Sequence, residues 1–262
     1  MTYGNSDFER REVYKWLDDI NPSSLHHRAC SQYEPGTGDW VLRSDDWKAW
    51  ISGTKRALWI HGIPGAGKTV LASHLIESIK THCSDGDAAT GRDACVYYYC
   101  YFGHNTDEAL PFLKWIVRQL SLTAETIPAR LLKLHKRGES PSLVDLLYAL
   151  EETIEAFDRV YVALDAIDES MPRRDLLKIL RDLITDPRFS KIRVLATSRE
   201  YIDIEESMTA ISTSLSMSNP LLDADIRLYV QAQLGMQPKF KLWPIVVREE
   251  ALEALSTKAK GM

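Results

Sequence analysis

Eight consecutive residues, Gly62-Ile63-Pro64-Gly65-Ala66-Gly67-Lys68-Thr69, place glycines around a short turn just ahead of a lysine and a hydroxyl-bearing threonine. Backbone N–H groups of such a loop can surround a β-phosphate at the positive end of the helix that follows. Lys68 would add a point charge toward the β- and γ-phosphates, the Thr69 hydroxyl would reach Mg²⁺, and Val70 would continue the helix behind the loop. This chemistry requires a strand before the loop and a helix after it. Leu58-Trp59-Ile60 reads as the strand and Val70 to Ile79 as the helix. Gly62 through Val70 are therefore the candidate nucleotide-binding residues.

A second constellation lies downstream. Val160-Tyr161-Val162-Ala163-Leu164-Asp165 is an apolar strand that would deliver a carboxylate to the carboxyl edge of a sheet, where ligands of such folds bind. Asp165, with Thr69, is the candidate Mg²⁺ holder. The small Ala166 follows, then Asp168 and Glu169. Glu169, with the longer arm, is preferred to Asp168 for orienting an attacking water. The competing reading has both acids capping the helix that follows Pro172. A third element, Leu195-Ala196-Thr197-Ser198-Arg199, ends another strand, from which Arg199 would reach a γ-phosphate. The alternative for Arg199 is a surface pair with Glu200. Lys68, Asp165, Asp168, Glu169 and Arg199 are thus the candidate catalytic residues. His61 reads as a packed histidine rather than a base. Tyr97, Tyr98, Tyr99 and Tyr101 read as sheet packing rather than base stacking, because strand parity sends them to both faces. ATP/ADP and GTP both remain open as the nucleotide; Thr37 and Trp40 are candidates to flank its base.

These residues need an α/β framework. Strands are expected at Ala57–His61, Cys95–Phe102, Val160–Asp165, Ile192–Thr197 and Thr209–Met217, with helices at Lys68–Thr81, Asp107–Leu122, Ala129–Lys136, Leu143–Phe157 and Arg174–Ile184. That alternation predicts an α/β fold of the P-loop NTPase type, a five-stranded mostly parallel sheet flanked by helices. A short amphipathic helix, Phe8–Ile20, and a capped helix beginning at Ser44 and Asp45 precede the sheet. Ser23–Asp39, between them, reads as a linker or draped loop, and Ser84–Asp93 as a mobile loop. Terminal helices are expected at Ala224–Leu234 and Glu249–Lys258. The domain reading is a helical lead-in over 1–54, a nucleotide-binding domain over 55–218, and a helical extension over 219–262, the start of a downstream helical region.

With 262 residues, 45% of them hydrophobic, the chain can bury one large core. Its 32 basic and 37 acidic residues give a net charge of −5, so nucleic acid is not an expected partner. Cys30, Cys83, Cys95 and Cys100 show no zinc-type spacing, and no apolar run approaches a membrane span or a signal-peptide core. A cytoplasmic location is expected.

With the phosphate loop, the Leu164-Asp165-Ala166-Ile167-Asp168-Glu169 stretch and Ala196-Thr197-Ser198-Arg199 in this order, the chain resembles the NACHT domain of the STAND P-loop NTPases, of the fungal NOD-like receptor and nephrocystin-like N-terminal kind. Gly36-Thr37-Gly38-Asp39-Trp40, with Trp47 and Trp50, resembles the segment leading into the loop in fungal members. The resemblance implies a slow ATPase switch, continued by winged-helix and repeat regions in its relatives, whose nucleotide sets an inactive or self-associated state, and hence a role in signal transduction and innate immunity. Two other readings share the phosphate loop. One is a nucleotide-binding scaffold without turnover, and the other a small-molecule or nucleotide kinase, for which Arg173-Arg174 is a thin lid.

Overall fold

The structure, a computed structural model, describes residues 3–17, 20–85 and 92–258. Five strands, β1 (Ala57–His61), β2 (Asp93–Tyr99), β3 (Arg159–Asp165), β4 (Ile192–Ser198) and β5 (Thr213–Ser216), form one sheet in the order β2-β3-β4-β1-β5. Every described pairing is parallel, with Ile60 opposite Thr197 and Tyr99 opposite Asp165. The central strands are apolar along their length because both faces are covered, as parallel sheets require. Carboxyl ends of β1, β3 and β4 therefore share one edge, and the phosphate loop leaves that edge from β1.

Among the described residues thirteen α-helices surround the sheet: α1 (Tyr3–Leu17), α2 (Ser23–Ser31), α3 (Asp39–Arg43), α4 (Asp45–Ile51), α5 (Lys68–Asp85), α6 (Ala109–Ala124), α7 (Ala129–Lys136), α8 (Leu143–Ile154), α9 (Arg174–Thr185), α10 (Ile202–Thr209), α11 (Pro220–Met236), α12 (Pro238–Lys241) and α13 (Ile245–Lys258). Alternation along β1 divides the core. Trp59 faces α6, α8 and α9 on one side, whereas Leu58 and Ile60 face α4 and α5 on the other. Trp50 of α4 is fully buried and donates from Nε1 to the carbonyl of Val194 at 3.0 Å. Ser44 caps α4, accepting from the Trp47 N–H at 3.1 Å. No helix among the described residues is long and apolar enough to cross a membrane.

Several sequence expectations need correction. Ser23–Asp39 is not a loop: it holds α2, which buries His26 and Ala29. The apolar stripe is too thin to announce a helix, because a histidine fills one of its core positions. The second strand ends at Tyr99 rather than Phe102, which opens a short 3₁₀ turn, Phe102–His104. The buried Glu108 carboxylate draws the chain aside there, accepting from the Tyr98 hydroxyl at 2.5 Å and the Tyr101 N–H at 3.3 Å. The fifth strand is only Thr213–Ser216. Thr209 instead ends α10, which buries Ile204 and Met208 at helical spacing. The first helix ends at Leu17 rather than Ile20, with residues 18 and 19 outside the described residues. Of the expected Ser84–Asp93 loop, Ser84 and Asp85 belong to α5, Asp93 opens β2, and 86–91 lie outside the described residues.

Candidate functional site

The phosphate loop wraps the N-terminus of α5. Gly67 holds a left-handed φ of 83°, and a Cβ there would meet nothing within 4 Å, so its backbone opens onto free space. Lys68 Nζ donates to the carbonyls of Gly62 and Ile63, each at 2.8 Å. These oxygens are the acceptors that a phosphate would replace. Burial lowers the pKa of the Lys68 ammonium from its ordinary value, against the pull of Asp168 and Asp165.

Asp165 ends β3 with 2% of its surface exposed. Thr197 Oγ1 donates to its carboxylate at 2.5 Å and accepts from the Ala166 N–H at 3.0 Å. Burial raises the Asp165 pKa from 3.8 to about 6, opposed by hydrogen bonds from Thr197 and Thr69. Ala166 takes a left-handed φ of 57°, which turns the chain so that Asp168 and Glu169 come back to the sheet edge. Asp168 is buried and accepts from the Arg199 N–H at 2.9 Å, with Arg199 Nε 3.2 Å from its other oxygen. Arg199 is thus not paired with Glu200, which lies 2.6 Å from His61 Nδ1. His61 also lies 2.7 Å from the Ser214 hydroxyl and stacks on Trp59, a packed and bonded histidine.

Glu169 has a different environment from Asp168. It is half-buried, accepts from the Phe102 N–H at 3.3 Å, and burial raises its pKa. Neither acid caps α9. Asp107 does so instead, accepting from the N–H groups of Asp175 at 2.9 Å and Leu176 at 3.1 Å. Arg173 is held by Asp203 at 2.6 Å, so it does not stand free as a lid arginine.

Beside the loop lies a cavity of about 1010 Å³. Gly65, Ala66, Gly67 and Val70 form its floor, Tyr33 to Trp40 one wall, and Asp225, Ile226, Tyr229 and Gln233 of α11 the other. Thr37 and Trp40 both line it. Asp225 joins the walls, accepting from the Gly38 N–H at 2.7 Å and Trp40 Nε1 at 3.1 Å. Gly38 cannot be exchanged freely, since a Cβ there would come within 2.6 Å of the Leu71 side chain at a φ of 78°. Sequence reasoning missed Asp225, Tyr229 and Tyr33. A helix far from the loop carries the first two, and no local pattern ties them to it. The Asp107 cap was likewise hidden, because its helix lies far along the chain.

The donor set fits the groups that the motif implies. Thr69 and the buried Asp165 carboxylate could hold Mg²⁺, an oxygen-only pairing suited to that ion. The open loop could hold phosphates, and the cavity is large enough for a nucleoside. Fold and site together define an α/β nucleotide-binding domain of the P-loop NTPase class. Within that class the chain belongs to the Nephrocystin 3, N-terminal family, whose family model matches residues 36–199, and it is a NACHT/nephrocystin-like domain. It is 26% identical over 222 residues to vegetative incompatibility protein HET-E-1 of Podospora anserina, covering 77% of this chain and 15% of that protein. The chain thus spans only a small part of that relative. Among solved structures it resembles Drosophila ORC bound to DNA, with a TM-score of 0.51 and 16% identity over 96% of this chain and 55% of that one. Aeropyrum pernix ORC1 in complex with DNA is similar at a TM-score of 0.51 and 13% identity, over 91% of this chain and 56% of that one. These likenesses are of fold.

The buried carboxylate yields a pH-dependent prediction. A pKa raised from 3.8 to about 6 disfavours the folded protein above that range and not below it. At about 1.4 kcal/mol for each tenfold change in acidity, the difference is about 3 kcal/mol. Asp165→Asn should therefore stabilise the protein, free of nucleotide and divalent ions, by up to that amount at pH 7.5, with the gain fading as pH falls through 6 toward 3.8. Urea unfolding at several pH values measures it; a gain that is constant with pH would contradict the account.

Proposed function

We propose that this domain binds a nucleoside triphosphate with Mg²⁺ and hydrolyses it slowly, acting as a cytoplasmic signalling switch of the NACHT and NOD-like receptor kind. The observation that carries this reading is the convergence of Lys68, Asp165, Glu169 and Arg199 at one sheet edge beside the cavity. Residues 55–218 would form the nucleotide-binding domain, with 1–54 and 219–262 flanking it. ATP with ADP, or GTP, would be the nucleotide, with self-association through this domain in one nucleotide state.

The residues divide the work as follows. Phosphate oxygens replace the Gly62 and Ile63 carbonyls as acceptors for Lys68, while the loop N–H groups hold the β-phosphate. Thr69 and Asp165 would hold Mg²⁺, which would supply charge neutralisation to the phosphates. Glu169 orients the attacking water and takes its proton. Burial, by raising its pKa, makes it a stronger base than an exposed carboxylate, whereas Asp168 is engaged by Arg199. Arg199 reads the γ-phosphate by exchanging Asp168 for it, so that a triphosphate breaks an existing ion pair and a diphosphate leaves it in place.

Lys68→Ala should remove most Mg-ATP binding by calorimetry while leaving the thermal melt close to wild type. Undiminished affinity in the folded variant would remove the phosphate-loop assignment. For Glu169→Gln, binding should persist while phosphate release slows by about 10²–10⁴-fold. If Asp168→Asn shows that loss and Glu169→Gln does not, the two acids exchange roles; if wild type releases no phosphate at all, the domain is a binding scaffold. Arg199→Ala should weaken a non-hydrolysable triphosphate by roughly ten- to a hundred-fold, a charge-assisted contact's worth, and change diphosphate affinity by no more than about two-fold. Equal losses for both nucleotides would take the sensor role from Arg199, because only differential affinity moves a switch.

A further inference from the structure

Where α2 packs on α5, a polar cluster stands apart from the nucleotide site. His26 and Cys30 lie one helical turn apart on α2, and Glu77 comes from α5. His26 Nε2 is 2.8 Å from Glu77 Oε1 and 3.6 Å from Cys30 Sγ, and one donor atom from each residue falls within 4.8 Å of the others. His26 is 2% exposed, and its ring packs against Tyr97 at 4.3 Å. Its other nitrogen, Nδ1, lies 2.9 Å from the Tyr99 hydroxyl. An outer partner of this kind orients a metal-ligating histidine and leaves Nε2 as the ligand atom.

Nε2 and Glu77 already lie against a cation. Lys80 Nζ lies 3.2 Å from Nε2 and 2.7 Å from Glu77 Oε1. A neutral imidazole nitrogen either donates or accepts. With Nδ1 accepting from the Tyr99 hydroxyl, a protonated Nε2 donates to Glu77 Oε1, which also accepts from Lys80. Lys80 is the cation that these donors hold, and its half-exposed ammonium also lies 4.6 Å from the Tyr97 ring centroid. A metal ion in place of that ammonium would take lone pairs from nitrogen, oxygen and sulfur at once.

We propose that His26 Nε2, Cys30 Sγ and Glu77 Oε1 bind a borderline-soft divalent cation of the zinc class, with water as the fourth ligand and Lys80 displaced to solvent. The mixed donor set selects this class over Mg²⁺ and Ca²⁺, which take oxygen ligands. With metal–ligand distances of about 2.0–2.3 Å, tetrahedral geometry separates neighbouring donors by roughly 3.3–3.6 Å. The sulfur-to-nitrogen spacing already meets that, and the oxygen needs a small withdrawal. Binding releases the Cys30 thiol proton to solvent. The ion would clamp α2 to α5 independently of nucleotide.

The test uses Co²⁺ as a spectroscopic stand-in for Zn²⁺ on the full chain with reduced thiols. One equivalent should produce a thiolate-to-cobalt band in the near ultraviolet with the visible absorption of four-coordinate cobalt, and Zn²⁺ should displace it. Cys30→Ala should abolish the band. Cys83→Ala should retain it. Glu77→Gln, at an exposed position that should not impair folding, should weaken Zn²⁺ binding by at least about tenfold, and Lys80→Ala should tighten it, since the competing ammonium is gone. Absence of the band in wild type, its survival in Cys30→Ala, or weaker binding in Lys80→Ala would overturn the site.

Discussion

Burying a carboxylate at the end of a central strand is costly, and much of the functional edge is arranged around Asp165. Its side chain can lie there because Thr197 and Thr69 turn hydroxyls toward it. Thr197 occupies the matching position on the neighbouring strand only because β3 and β4 run in their observed register, with Leu164 opposite Ala196. A shift of one residue would send that hydroxyl to the other face of the sheet. The same hydroxyl accepts from the Ala166 N–H, so one side chain both satisfies the acid and anchors the left-handed turn that follows it. That turn brings Asp168 under Arg199 and Glu169 toward Phe102. Strand register, turn geometry and the placement of three charged groups are thus linked through a single threonine.

Charges at the edge are separated by role of environment rather than by type. Asp168 and Glu169 are adjacent in the chain, yet one meets an arginine and the other a backbone N–H. Glu108 contributes to this asymmetry from a distance. By bending the chain after β2, it presents the Phe102 N–H to Glu169.

The framework was legible because its signals are local. An apolar run ending in an acid, and a glycine loop between strand and helix, each carry their meaning within a few residues, and β1, α7 and the cap of α4 appear where the pattern places them. What escaped depends on contacts between distant segments. α2 looked like a linker because His26, a polar residue, supplies part of its buried face. Asp107 looked like the start of its own helix, yet it serves α9 as well. Tyr229 and Asp225 read as ordinary residues of a terminal helix, and only the packing of α11 beside the loop makes them walls of the cavity. Whether Arg199 would meet Glu200 or Asp168 was likewise a question of turn geometry that its immediate neighbours do not answer.

The cavity walls are joined by Asp225, whose partners Gly38 and Trp40 stand 187 and 185 positions earlier in the chain. Neither wall is a strand of the sheet, and the hydrogen bonds that hold them together are half-buried rather than part of the core. Parting them breaks two hydrogen bonds and uncovers the faces of α11 and the lead-in, while leaving every strand pairing intact. Such an opening is a sub-global event with its own free energy, smaller than that of unfolding the domain. The Gly38 amide is therefore set to exchange with solvent hydrogen through this motion, and the amides of β3 and β4 only through loss of the whole sheet. An opening of this kind would let the cavity exchange its contents while the central scaffold stays folded.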